Sequence, residues 1–141
     1  MIRVFLDSSV LFSACYSATG HSRDLIMMAQ REEIQLVSSR YVLEETRRNL
    51  QRKSPDYLLF LDFILDNLQI EIVKPTKRQV LSTAEHVKLK DAPIVAAARR
   101  AKVNILVSLD KEHLLDNQKV AKLAGAKVLT PREAIQTLRS N

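Results

Sequence analysis

Apolar positions along the chain gather into five short runs, with longer stretches of helical period between them. The first run, residues 2–6, is Ile-Arg-Val-Phe-Leu, apolar apart from Arg3, and residues 34–37, 70–73, 105–109 and 126–129 resemble it. Short runs with little alternation, bounded by turn residues, predict inner strands of a parallel sheet. Helices are predicted over 10–15, 22–31, 41–53, 57–68 and 92–101, from the Lys74-Pro75-Thr76 cap to about 87, over 119–124 and from Pro131, with a short one around 112–115. Several ends carry local signals. Asp91 is placed to N-cap the helix at 92, and Pro93 falls in its first turn, where an absent N–H costs nothing. Gly125 stops one helix, and Thr130 caps the next with Pro131 at its first position. Strands alternating with helices predict an α/β fold, a three-layer α/β/α arrangement around a central five-stranded parallel sheet. A length of 141 residues suits a single domain, 1–141, and the chain shows no repeat, linker or low-complexity segment.

One helix departs from the amphipathic pattern. Residues 57–68 leave only Asp62 and Asp66 as a thin polar stripe, so this helix needs cover on nearly all sides. In a small domain that cover is a long packing groove or a second copy of the chain, and a homodimer is expected. The Met27–Met28 pair of the second helix reads as core filling.

Composition narrows the partners. Twenty-two Lys and Arg against 16 Asp and Glu give a net charge of +6, which slightly favours a polyanionic partner such as nucleic acid. The single Cys15 excludes an internal disulfide and fits a reducing compartment. The N-terminal apolar run is too short for a signal peptide, and 57–68 falls short of the roughly 20 residues a membrane span needs. A soluble, cytoplasmic protein with no membrane partner is expected.

Four acids carry the candidate chemistry: Asp7, Glu45, Asp91 and Asp110. Asp7 and Asp110 follow central strands, where open α/β sheets place their ligands. Asp91 opens a helix, and Glu45 lies on the helix that follows the second strand. Taken alone, Asp7 reads as an N-cap, and Glu45 as a surface residue pairing with Arg48 or Asn49. Together, if the first and fourth strands are neighbours, the four can converge. Clustered carboxylates repel, and a hard, oxygen-seeking cation such as Mg²⁺ or Mn²⁺ would offset that repulsion. Such a metal can acidify a bound water and clamp a phosphodiester. With the four acids set aside, the rest of the chain is more basic still, which suits cutting a phosphate backbone. Lys88 and Lys90, with Lys74, Lys77 and Arg78, form a basic rim leading to Asp91. Lys88, Lys90, Arg99 and Arg100 are the candidate RNA contacts. His113, three residues after Asp110, could touch the site, although a surface or capping role is the simpler reading.

Two other α/β chemistries fail on the residues. A receiver-type phosphoacceptor needs a second acid beside Asp7 and a Lys after the fifth strand, where this chain has Leu6, Ser8 and Thr130. An Asp-x-Asp phosphatase needs an acid where Ser9 stands.

The segments FLDSS, SRYVLEETRRNL, KDAPIVAAA, VSLDKEHLL and VLTPREAI, in that order, resemble the PIN-domain nucleases, whose small members include VapC-like toxin ribonucleases. The resemblance spans nearly the whole chain and is weakest over 57–68. It matches Asp7, Asp91 and Asp110 to the family's first, third and fourth acids. It also selects Glu45 over Glu44, six residues after Ser39 and five before Leu50. Ser108, two residues before Asp110, and Ser8 or Ser9 would support the acids from behind. The resemblance implies a strand order of 3-2-1-4-5 and Mg²⁺- or Mn²⁺-dependent endonucleolytic cleavage of RNA. It further implies a possible antitoxin protein as partner, and the rival it leaves is an inactive PIN-like module that binds RNA or protein.

Overall fold

The structure, a computed structural model, describes residues 1–140. Its five strands are β1 (Arg3–Leu6), β2 (Gln35–Ser39), β3 (Glu71–Val73), β4 (Ile105–Val107) and β5 (Lys127–Leu129). All pair in parallel, in the order β3-β2-β1-β4-β5. The strands at the centre are the most apolar: Val4, Phe5, Leu6, Leu36, Val37, Leu106 and Val107 are all at most 1% exposed. Full burial of a Phe or Leu side chain contributes about 1.5–3 kcal/mol, so these residues dominate the core.

The helices are α1 (Ser8–Tyr16), α2 (His21–Gln30), α3 (Arg40–Lys53), α4 (Leu58–Asn67), α5 (Lys77–Ala84), α6 (Ala92–Ala101), α7 (Gln118–Ala124) and α8 (Pro131–Arg139). They flank the sheet: α1 packs on α2 and α3, α2 on α8, and α6 lies between α5 and α7. Helix α6 can press close to the sheet because Ala92, Ala96, Ala97 and Ala98 present little bulk, and all four are buried. Its polar Arg99 and Arg100 stay in solvent, and Lys102 closes it with φ 54°. Thr76 and Thr130 both form capping boxes, with Gln79 and Glu133 respectively. Gly125 ends α7 at φ 67°, a left-handed conformation that costs glycine least.

Four expectations need correcting. The fourth strand ends at Val107 rather than at residue 109, since Leu109 turns outward and is 46% exposed. No helix forms at 112–115; the N–H groups of Leu114 and Leu115 both bond to the Asp110 carbonyl, which closes one turn, and Asp116 (φ 59°) breaks it. Of the methionine pair, Met28 fills the core while Met27 is 45% exposed, because adjacent helical residues point about 100° apart. The apolar fourth helix begins as a 3₁₀ turn, Pro55–Tyr57, so α4 starts at Leu58, and its own chain does not supply a groove that covers it all round. It buries Leu61 and Ile64 but leaves Leu59 78% and Phe63 54% exposed.

Candidate active site

Strands β1 and β4 are neighbours whose chain connections leave in opposite directions, the switch point at which open sheets form a crevice. The ladder carries past the strand ends: the Asp7 N–H donates to the Val107 carbonyl at 3.2 Å, placing Asp7 beside the exit of β4. A pocket of about 120 Å³ opens there, lined among others by Asp7, Ser8, Glu45, Lys90, Asp91 and Asp110. The four acids expected from sequence thus line one cavity, each brought by a different segment of the chain.

Asp7 is 3% exposed and serves two roles at once. It is the N-cap of α1, its Oδ1 accepting from the Val10 N–H (3.0 Å) and the Ser9 hydroxyl (2.7 Å), and it faces the pocket. Burial pushes its pKa up, against the opposing pull of Ser108, Ser9 and the Val10 N–H, and the charge of Asp110 adds to the rise. Ser9 also accepts from the Leu109 N–H (3.1 Å), which ties the start of α1 to the exit of β4. Ser108 is fully buried and accepts from the Asp110 N–H at 2.9 Å.

Glu45 sits one turn into α3, beyond the Ser39 cap. Its carboxylate accepts from the Ser8 hydroxyl and, among the described residues, forms no salt bridge with Arg48. The surface pairing considered for an isolated Glu45 is therefore absent. Asp91 also departs from expectation. It occupies the N-cap position of α6 but makes no side-chain capping bond, because at φ −94° and ψ −18° its backbone is already helical. Its carboxylate instead lines the pocket, 5% exposed as a residue, with no hydrogen bond from the described residues. Burial raises its pKa despite Lys90, and Asp110 raises it further.

Asp110 is held differently. Its Oδ1 accepts from the N–H groups of Glu112 (3.1 Å) and His113 (3.0 Å), and its Oδ2 lies 3.2 Å from His113 Nδ1. Burial would raise its pKa, but the His113 N–H, the His113 ring and Lys90 together bring it below the usual value. His113 is therefore a site residue whose weight the sequence reading set too low. The available signal was an acid followed at i+3 by a histidine in the turn leaving a central strand. Donor atoms of Asp91, Asp110 and His113 lie within 4.8 Å of one another. Tyr41 was not singled out either; its hydroxyl donates to the Lys90 carbonyl at 3.2 Å and braces the loop that presents Asp91.

Residues 3–112, most of the chain, match the PIN domain family. The chain belongs to the PIN-domain family. No curated protein sequence matches it. Solved structures share the fold of this PIN domain at low identity. PAE2754 from Pyrobaculum aerophilum superposes with a TM-score of 0.68 at 12% identity, over 99% of this chain and 97% of that one. VapBC2 from Rickettsia felis, solved bound to a DNA fragment from its promoter, gives 0.62 at 13% identity, over 91% and 97%. VapC20 of Mycobacterium tuberculosis, a toxin that cleaves the sarcin–ricin loop, gives 0.56 at 16%, over 77% and 91%.

The expected cationic residues divide between two places. Lys90 lines the acid pocket, and Lys88, outside its lining, reaches it only through His113, its Nζ 2.8 Å from His113 Nε2. Arg99 and Arg100 sit at the other end of α6, about 12 Å along the helix axis from Asp91. There they donate to the Leu123 carbonyl and the Gln79 side chain, both at 3.0 Å. The donor set at the pocket suits a hard divalent cation: all four acids offer oxygen, two are buried with raised pKa values, and Asp91 has a free carboxylate.

Proposed function

We propose that this PIN domain, acting as one unit over residues 1–141, is an endoribonuclease dependent on Mg²⁺ or Mn²⁺. The observation that carries the reading is the convergence of Asp7, Glu45, Asp91 and Asp110 on one small pocket at the carboxyl end of the sheet. Membership of a nuclease family supports it. Asp7, Asp91 and Asp110 would hold the cation, with Glu45 binding it directly or through water. When bound, the ion supplies charge neutralisation for the phosphate and makes a nearby water more acidic. The protein's own groups do the rest. Ser8 orients the Glu45 carboxylate so that it can accept a proton from the attacking water, and Ser108 and Ser9 keep the Asp7–Asp110 side of the pocket in register. Lys90 and Lys88 face the developing charge and hold the RNA backbone without reading bases. Arg99 and Arg100 contact the same strand only if it continues along α6.

Similarity to the fold of a known toxin supports a toxin role here, with an antitoxin protein as partner in the cytoplasm. The exposed Leu59 and Phe63 support a homodimer contact through α4. The test is cleavage of a labelled RNA by purified protein in Mg²⁺, Mn²⁺ and EDTA, alongside Asp91→Asn and Asp110→Asn. Cleavage that needs metal and is lost in both variants upholds the reading. RNA binding without cleavage in any metal would leave the inactive binding module instead.

A further inference from the structure

Among the described residues, His113 is the imidazole that touches an acid of the pocket, and its two ring nitrogens face groups of opposite charge. Nδ1 lies 3.2 Å from Asp110 Oδ2, and Nε2 lies 2.8 Å from Lys88 Nζ. An ammonium has three donors and no acceptor, so Lys88 must donate to an unprotonated Nε2. That leaves the ring's proton on Nδ1, where it is donated to Asp110. The exposed Glu112 carboxylate also faces Nε2, but at 3.6 Å it is the more distant partner. The ring itself is sheltered, its side chain 15% exposed, and its own N–H holds the other Asp110 oxygen.

We propose that His113 is a positioning residue, whose Nδ1–H aims the Asp110 carboxylate into the acid pocket and whose Nε2 anchors the Lys88 ammonium. It rests on the proposed function for the identity of what binds: a divalent cation on the Asp110 side, an RNA phosphate on the Lys88 side. Because Nδ1 is a donor in this arrangement, His113 supports the metal from behind and does not ligate it. One ring then couples two affinities that would otherwise be independent.

Three variants separate the two halves. His113→Asn places an amide N–H where Nδ1 stood and keeps only the Asp110 bond. His113→Gln places an amide oxygen near Nε2 and keeps only the Lys88 bond, and His113→Ala keeps neither. Mn²⁺ affinity is measured by calorimetry, and binding of a labelled oligouridylate is measured by anisotropy in EDTA. The ring tautomer of wild type is read by long-range proton–nitrogen NMR.

The expected result is an Mn²⁺ affinity reduced about 10-fold or more in Ala and Gln but nearly retained in Asn. Oligouridylate binding should weaken in Ala and Asn to the level of Lys88→Ala, and should be largely retained in Gln. A ring in which Nε2 donates and Nδ1 accepts, or Mn²⁺ affinity unchanged in Ala, overturns the proposal. If wild type binds no Mn²⁺, the metal centre itself is refuted, and the tautomer still decides the role of the ring. The tautomer measurement likewise decides the matter if His113→Ala does not fold.

Discussion

Replacing Asp7 with Asn removes one negative charge from the pocket with almost no change of shape. The carboxylate it removes is nearly fully buried, accepts two hydrogen bonds through Oδ1 and is repelled by Asp110. Weakening two charge-assisted bonds to neutral ones costs about 1 kcal/mol each. Against that, keeping a carboxylate out of water costs several kcal/mol. Burial wins, because the pKa of Asp7 is raised in spite of those bonds. The Asn side chain still caps α1. The metal-free protein should therefore gain about 1–3 kcal/mol, and at about 3 °C per kcal/mol for a chain of this size its Tm should rise by about 3–9 °C. Saturating wild type with Mn²⁺ at about 100 times Kd should add about 2.7 kcal/mol, and the variant should recover less than half of that upshift. Asp7→Ala is the control: it loses the same charge and also the cap, so it should melt about 3 °C below Asn.

The sign is also visible in pH. An acid whose pKa is raised on folding contributes stability that is complete below its ordinary value of 3.8 and is lost as pH rises through the raised value. The gap between Asp7→Asn and wild type should therefore close as the pH falls toward about 4. The measurement is thermal melting in EDTA across pH, with and without Mn²⁺. A lower Tm for Asp7→Asn at neutral pH, with the Mn²⁺ upshift intact, would refute the metal centre and leave Asp7 as a cap alone.

Other predictions follow from burial and contact. Leu59→Glu or Phe63→Glu should give a monomer by sedimentation whose Tm no longer depends on protein concentration, whereas Leu61→Ala, at a fully buried position, should cost about 2–5 kcal/mol in denaturant melts. A wild type already monomeric at high concentration would remove the dimer. Lys88→Ala and Lys90→Ala should each flatten the plot of log K against log salt for single-stranded RNA by about 0.7, and unchanged slopes would place the RNA elsewhere. Thr46 is fully buried and its hydroxyl has no partner among the described residues, so Thr46→Val should raise stability by about 1 kcal/mol; a loss would mean the hydroxyl is satisfied in solution.

What the chain determines by itself is what depends on near neighbours. Thr76, Thr130, Pro131 and Gly125 act within a turn of their own position, so the helix ends they set were legible, as were the apolar runs that became strands. The strand order was legible through resemblance to a family rather than through any local signal. Roles that depend on what lies across the fold were not legible. Asp91 stands at a cap position, but only its backbone dihedrals and the neighbouring pocket show that its carboxylate is free. Asp7 turned out to be a cap and a pocket wall together, two readings that sequence set against each other. Likewise, the composition of α4 says that it is apolar, but packing against α3 decides that Leu61 is core and Leu59 is surface. The site follows the same logic. Asp7 and Asp110 are far apart in the chain, and the β1–β4 ladder, with Val4 opposite Ile105 and Leu6 opposite Val107, brings their backbones side by side. Convergence of charge is a property of strand order and register, and neither is encoded within the reach of any single segment.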